Sequence, residues 1–528
     1  MTPCHDPSAL EWAEKAAPRG CRGLRSPAIL SVVRRLATLF LLALGACGDL
    51  YTNSASTTQT TEPPGTSGAP VTTSGGSGGI TGATGEWSGS TGDPAGDPGD
   101  PEGSIFFAVI GDFGSDLLPE AAVAGMISAR APDFIITVGD NNYYDGASST
   151  IDRNIGKYYH SFIAPYHGTY GPGSERNRFF PSPGNHDWNL GNLDAYTGFF
   201  RLPGNERYYD FRRGPVHFFA LNSDYHEPDG VTPDSVQGTW LEQGLAASDA
   251  PFKVVYFHHP PYSSGYHRGS EYMRWPFRAW GVDLVLTGHD HNYERLQVDD
   301  MIYIVDGCGG AALRTFSAEE VGAQRGTPDV FGALFVEADP KLMTLSLVTP
   351  TGGLIDRVSL LPDLPTSWTT LIPVDATWRY LQGPPPPDWM LPDAFVETWS
   401  SGPAPLGANV GGEATLLMPG VTTFFRHVFL AEEAAIGAPL RLRIAADDGA
   451  VVFLNGVEVY RINLPEGPLT PESTASSAVG WWYEDKLAET IIPSDALVAG
   501  PNLLAVELRQ HNASSQDLRL AVELATGQ

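Results

Sequence analysis

Short, almost continuous apolar runs recur through the middle of this 528-residue chain, and several run straight into glycine and a side chain able to bind a metal. Ile105–Ile110 leads into Gly111-Asp112, and Phe134–Val138 leads into Gly139-Asp140. The runs at 216–221, 253–257, 282–286 and 302–305 repeat the theme. Runs of this length read as buried strands. Helical patterns at 120–130 and 235–248 lie between some of them, which predicts an α/β (α+β) domain with its polar chemistry at strand ends. Further runs at 331–336 and 342–348, without clear helices between them, are expected to complete the sheets by about Leu361.

Five segments at or after strand ends carry metal-type ligands: Gly111-Asp112-Phe113-Gly114, Gly139-Asp140-Asn141-Asn142-Tyr143, Gly184-Asn185-His186-Asp187, Val255-Tyr256-Phe257-His258 and Gly288-His289-Asp290-His291. Singly, each has an ordinary explanation as a turn, a cap or a buried hydrogen-bonded group. Together and in this order they are side chains that converge on one point if the strand ends do.

The five segments resemble the calcineurin-like metallophosphoesterases and, within them, the purple acid phosphatases of the tartrate-resistant type, over residues 104–361. Many members of that superfamily place a histidine two residues after the first aspartate; here Gly114 stands there. In the purple acid phosphatases a tyrosinate three residues after the second aspartate takes its place, and Tyr143 occupies that position. The resemblance implies a metallophosphoesterase β-sandwich flanked by helices. It assigns Asp112, Tyr143 and His291 to one metal ion and Asn185, His258 and His289 to a second, with Asp140 bridging both. Carboxylate and phenolate suit Fe(III), whereas imidazole and amide suit a divalent Fe, Zn or Mn ion. His258 is taken as the ligand of the adjacent pair because His259-Pro260 follows it as in the family, leaving His259 a structural part.

The implied activity is hydrolysis of phosphate monoesters by attack of a metal-bound hydroxide. His186 matches the family's proton donor and His267 a second, substrate-facing histidine. Asp187 either orients His186 or caps a helix, and Arg295 reads as an ion-pair partner rather than a phosphate ligand. The same core serves a phosphodiesterase acting on nucleotides or lipid headgroups, which is the alternative. A non-catalytic surface binding protein is the remote one; it predicts missing ligands, and all seven are present.

A net charge of -29, from 32 basic and 61 acidic side chains, argues against nucleic acid as a partner. It also repels phosphate at long range, so phosphate chemistry here requires a local cluster of positive charge, which metal ions supply. Arg34 and Arg35 precede the apolar run 36–43, which closes in Leu44-Gly45-Ala46-Cys47. The run is short for a membrane span and is built like a signal-peptide core. It resembles the bacterial lipoprotein signal, in which the cysteine is lipidated; an ordinary secretory signal is the other reading. An exported protein is expected, anchored to a membrane through Cys47 at the periplasm or cell surface, or secreted. Residues 1–47 then form leader and signal. Residues 48–103, rich in Thr, Ser, Gly and Pro and free of Lys and Arg, form a tether unable to offset its ordering entropy. Cys308 would be the only cysteine past the signal, and reads as structural.

Proline clusters at 362–365 and 384–387 mark a boundary, after which 362–528 reads as linker and an all-β, jelly-roll-like sandwich. Asn455-Gly456 between two apolar runs is the signal of a type I′ hairpin. This part resembles the galactose-binding-like domains of secreted bacterial enzymes, including its Asp447-Asp448-Gly449 turn. Trp378, Trp389, Trp399, Trp481 and Trp482 are either core or a platform for carbohydrate.

Overall fold

The computed structural model describes residues 103–528. The leader, Cys47 and all but the last residue of the expected tether lie outside the described residues.

Thirteen strands carry the first half: β1 (Ile105–Ile110), β2 (Phe134–Val138), β3 (Phe179–Ser182), β4 (Tyr209–Arg213), β5 (Val216–Ala220), β6 (Phe252–Tyr256), β7 (Leu284–Thr287), β8 (Tyr293–Val298), β9 (Met301–Asp306), β10 (Ala323–Thr327), β11 (Ala333–Ala338), β12 (Met343–Val348) and β13 (Gly353–Leu360). One sheet has the order β13-β12-β11-β1-β2-β3, and the other β10-β8-β9-β7-β6-β5-β4. Parallel pairing is confined to β1-β2-β3 in the first sheet and to β5-β6-β7-β9 in the second.

Period-2 geometry decides how the sheets pack. Phe218, Val254 and Leu284 face the shared core together with Phe107, Phe134 and Phe180 of the first sheet. The Phe107 and Phe218 rings meet edge to face at 5.1 Å across the two layers. The alternating partners Phe219, Val255 and Val285 turn to the outer face, where helix α2 (Val236–Ala247) covers them with Leu241 and Leu245. Helix α1 (Leu118–Arg130) inserts Val123 and Ile127 into the main core. The start of α2 is fixed by Ser235, whose Oγ accepts from the Gly238 amide at 3.1 Å. Two mixed sheets with flanking helices, followed by a large all-β region, are thus the observed architecture.

The second half folds into two six-stranded sheets around a core that includes Trp378, Leu442, Val452, Val522 and Leu524. Gly449–Leu454 and Val457–Ile462 form the expected hairpin, with φ of 51° at Asn455 and 89° at Gly456 as a type I′ turn requires. Trp378, Trp389 and Trp399 are buried, so these three are core and not a sugar platform; Trp481 is exposed.

The halves interlock within one compact unit. The dipeptide Leu464–Pro465 from the second half pairs antiparallel with β13 and extends the first sheet. Arg295 forms a two-pronged, fully buried pair with Asp356 (2.7 and 3.1 Å) and also donates to the Glu489 carbonyl at 2.9 Å. That is the ion-pair role expected of Arg295. Cys308 is buried and donates to Asp306 at 3.2 Å, as befits a structural thiol.

Candidate metal centre

Every parallel strand of this half except β5 and β9 ends in one of the five segments, so the carboxyl ends of β1, β2, β3, β6 and β7 deliver them to one place. The chain turns sharply there. Asp112, Asp140 and His289 have φ of 54°, 52° and 72°, a left-handed conformation costing about 1–2 kcal/mol for a residue with a Cβ. Gly139, at φ 92°, is the one position where a Cβ would sit 2.5 Å from the His258 ring.

Each aspartate is anchored by one oxygen and presents the other. Asp112 Oδ2 accepts from the His289 amide at 2.8 Å, leaving Oδ1 beside Tyr143 Oη at 3.1 Å and His291 Nε2 at 3.4 Å. Asp140 Oδ1 accepts from the His186 amide at 2.8 Å, leaving Oδ2 at 3.2 Å from Tyr143 Oη and 3.3 Å from His258 Nε2. The Tyr143 hydroxyl also lies 3.1 Å from His291 Nε2. On the other side, His258 Nε2 is 3.1 Å from Asn185 Oδ1 and 3.2 Å from His289 Nδ1. All seven side chains singled out from the sequence meet here.

The backbone fixes the imidazoles. His258 Nδ1–H donates to the Val138 carbonyl at 2.9 Å and His291 Nδ1–H to the Ala312 carbonyl at 2.7 Å, which turns both Nε2 lone pairs inward. They therefore face carboxylate, amide and phenol oxygens, a crowd of acceptors with one phenolic proton to share. Such a set needs cations. In the chain by itself burial opposes a charge on His258, yet the Asp140 and Asp112 carboxylates push its imidazole up to about 10. A proton on His258 thus stands in for a cation. Burial and the same two carboxylates hold the Tyr143 phenol well above its ordinary value. Asp112, Asp140 and His258 alone bring ligand atoms within 4.8 Å of one another. The donor set fits a binuclear metal site.

Gly114, where the resemblance leads one to look for a histidine, has no room for a side chain. A Cβ on Gly114 would lie 1.7 Å from the Asn141 carbonyl, because the segment leading to Tyr143 runs against it. The Tyr143 amide donates to the Gly114 carbonyl at 2.8 Å. The space a side chain at 114 needs is filled by the backbone that brings in the phenol.

His186 stands beside the cluster, Nε2 3.8 Å from Asp140 Oδ2, its ring 4.4 Å from that of Tyr143. Its Nδ1–H donates to the Tyr144 carbonyl at 2.6 Å. Asp187 does not orient it. The Asp187 carboxylate turns into the floor, where it accepts from the Gly184 and Asn141 amides and from the Asn141 side chain, which is the capping alternative. His267 lies on the opposite rim, its ring 4.3 Å from that of His289. Burial and the neighbouring Arg314 lower the His267 pKa, and Arg314 Nη1 donates to its Nε2 at 3.1 Å. His259 is bonded through Nδ1 to Ser223 at 2.9 Å and packs on His289, consistent with a structural part.

Sequence reasoning missed three contributors. Asp290, between two ligand histidines, fastens the loop bearing His267 by accepting from Ser263 Oγ (2.5 Å) and the His267 amide (2.7 Å). The Tyr144 carbonyl, a main-chain group, has no sequence signal. Arg314 is an exposed cation in a loop beyond the last motif; its one cue was a lone arginine soon after the glycine-rich stretch 307–310.

Residues 107–293 match the calcineurin-like phosphoesterase family. The chain is 24% identical over 305 residues to tartrate-resistant acid phosphatase type 5 of Mus musculus, covering 48% of this chain and 89% of that protein. It is 31% identical over 247 residues to purple acid phosphatase 15 of Arabidopsis thaliana, covering 38% and 44% respectively, so it spans less than half of the plant relative. Among solved structures, the purple acid phosphatase PPD1 from yellow lupin seeds aligns with a TM-score of 0.42 at 18% identity, covering 49% of this chain and 54% of that one. This chain carries a calcineurin-like metallophosphoesterase domain homologous to the purple acid phosphatases.

Proposed function

We propose that the chain is an exported phosphatase that hydrolyses phosphate monoesters with two metal ions held by Asp112, Asp140, Tyr143, Asn185, His258, His289 and His291. Homology to acid phosphatases supports phosphoester hydrolysis. The observation that carries the finer reading is the inward-facing set of acceptors, with both aspartates and two imidazoles anchored by backbone groups. When bound, the ions supply an activated water and positive charge for the phosphoryl oxygens, with Fe(III) on the Tyr143 side and a divalent Fe, Zn or Mn ion opposite.

The protein's own groups do the rest. The Tyr144 carbonyl fixes His186 with Nε2 toward the cluster, where an Nε2 proton reaches the departing alkoxide. His267 and Arg314 make a rim that receives phosphate oxygens, the guanidinium adding fixed positive charge there in a chain whose net charge is -29. Export and a lipid on Cys47 rest on the signal-like segment ending at that cysteine; release from membranes in Cys47→Ser cells tests them.

The test is a hydrolysis panel on the full chain with p-nitrophenyl phosphate, bis-p-nitrophenyl phosphate and nucleotides. Monoester turnover is expected to exceed diester turnover. His186→Ala should lower kcat by about 10²–10⁴ with metal content unchanged. Faster diester turnover overturns the substrate class, and full turnover in His186→Ala removes the proton-donor role.

A further inference from the structure

A second acidic cluster lies in the C-terminal half, remote in sequence from the site above. Asp447 ends one strand, Glu484 lies in the segment after Trp482, and Asp517 precedes the last strand; their ligand atoms lie within 4.8 Å of one another. Asp447 is 1% exposed, and its enclosed Oδ2 accepts no hydrogen bond among the described residues.

No ion pair to Asp447 forms among the described residues: the nearby buried Arg325 guanidinium is spent on the Ala446 and Asp448 carbonyls at 3.3 and 3.0 Å. Asp448 is satisfied by the Val479 and His511 amides, both at 2.7 Å. Arg519 faces Asp447 across the ladder but gives its Nη1 to the Gly411 carbonyl at 2.7 Å. Lys486 pairs with Glu319 and Asp485.

We propose that Asp447, Glu484 and Asp517 bind a Ca²⁺ ion. Donors that are all carboxylate oxygens select a hard cation over a transition metal. Calcium–oxygen distances of about 2.3–2.6 Å place opposed ligand atoms about 4.6–5.2 Å apart, the scale of this cluster.

The ion would also brace the catalytic half. Glu484 follows Tyr483, whose hydroxyl donates to Glu294 at 2.9 Å. Glu294 in turn accepts from the Ser264 amide at 2.7 Å and hydroxyl at 2.5 Å, in the loop that carries His267. Pinning Glu484 pins the foot of that loop.

Equilibrium dialysis of the full chain against ⁴⁵Ca²⁺, with Tb³⁺ luminescence sensitised by neighbouring Trp482, tests the site. One Ca²⁺ per chain is expected in the wild type and in Asp112→Asn, and none in Glu484→Gln or in Asp517→Asn. Near-UV circular dichroism establishes that these variants are folded, and the half-buried Glu484 is the milder change. Ca²⁺ should also raise the wild-type Tm but not that of Glu484→Gln. Absence of wild-type uptake, equal uptake in Glu484→Gln, or uptake lost only in Asp112→Asn each overturns the proposal. Failure of the phosphatase reading would leave the Ca²⁺ count untouched.

Discussion

Removing one oxygen from the centre of the cluster is the sharpest perturbation the geometry offers. Tyr143→Phe keeps a ring that is 5% exposed and packed on His186, and deletes only Oη. That atom lies 3.1 Å from Asp112 Oδ1, 3.2 Å from Asp140 Oδ2 and 3.1 Å from His291 Nε2. In the metal-free chain the loss removes the phenolic proton shared among them, costing about 1–3 kcal/mol. For the loaded protein, loss of a mere supporting partner costs about 10–100-fold in metal affinity, so losing a direct donor should cost at least about 100-fold. That is about 2.7 kcal/mol. Dialysis against graded chelator followed by elemental analysis should show two ions per chain in the wild type and one in the variant. Any purple or pink colour from phenolate on Fe(III) should vanish. Two ions retained at wild-type chelator concentrations, with colour unchanged, would refute the placement of Tyr143 on a metal.

Other outcomes follow from the same packing. Gly114→Ala should destabilise the fold by about 1–3 kcal/mol in urea titrations and lower metal content, because its Cβ displaces the Asn141 carbonyl from 1.7 Å. Asp290→Ala frees Ser263 and the His267 amide, so kcat/KM should fall by roughly 100-fold while both ions stay bound. Glu120 is buried, and that burial pushes its carboxyl from 4.5 up to about 9. Between those values the folded state holds a proton that the unfolded chain has released. Stability therefore falls as pH rises through that window, by up to about 1.4 kcal/mol per pH unit. Glu120→Gln should flatten this part of the Tm profile, and an unchanged slope would remove Glu120 as its source.

The strand-end motifs were legible because each is local: an apolar run, a turn, then one ligand. Asp112, Asp140, His258 and His289 need only the strand before them to be placed, whereas Asn185 was found through the Gly184-Asn185-His186-Asp187 segment itself. Strand β3 was not read, since Pro181 sits in it; as the edge of its sheet it tolerates the missing amide. Asp187 was open between two roles because its side chain has two directions available, and only the fold shows it turned to Asn141. Arg314 and the Tyr144 carbonyl acquire their roles through proximity to His267 and His186, which no spacing encodes. The Tyr483–Glu294 bond joins residues 189 positions apart, beyond any periodicity.

The small strand Leu464–Pro465 has a consequence for dissecting the molecule. By capping β13 it hides amides and carbonyls that a chain ending near residue 361 would offer to any passing strand. Such a fragment would also strip the Glu489 carbonyl from Arg295 and the Tyr483 hydroxyl from Glu294, both in the buried seam. The two halves are therefore expected to melt in one transition, and a shortened version to self-associate.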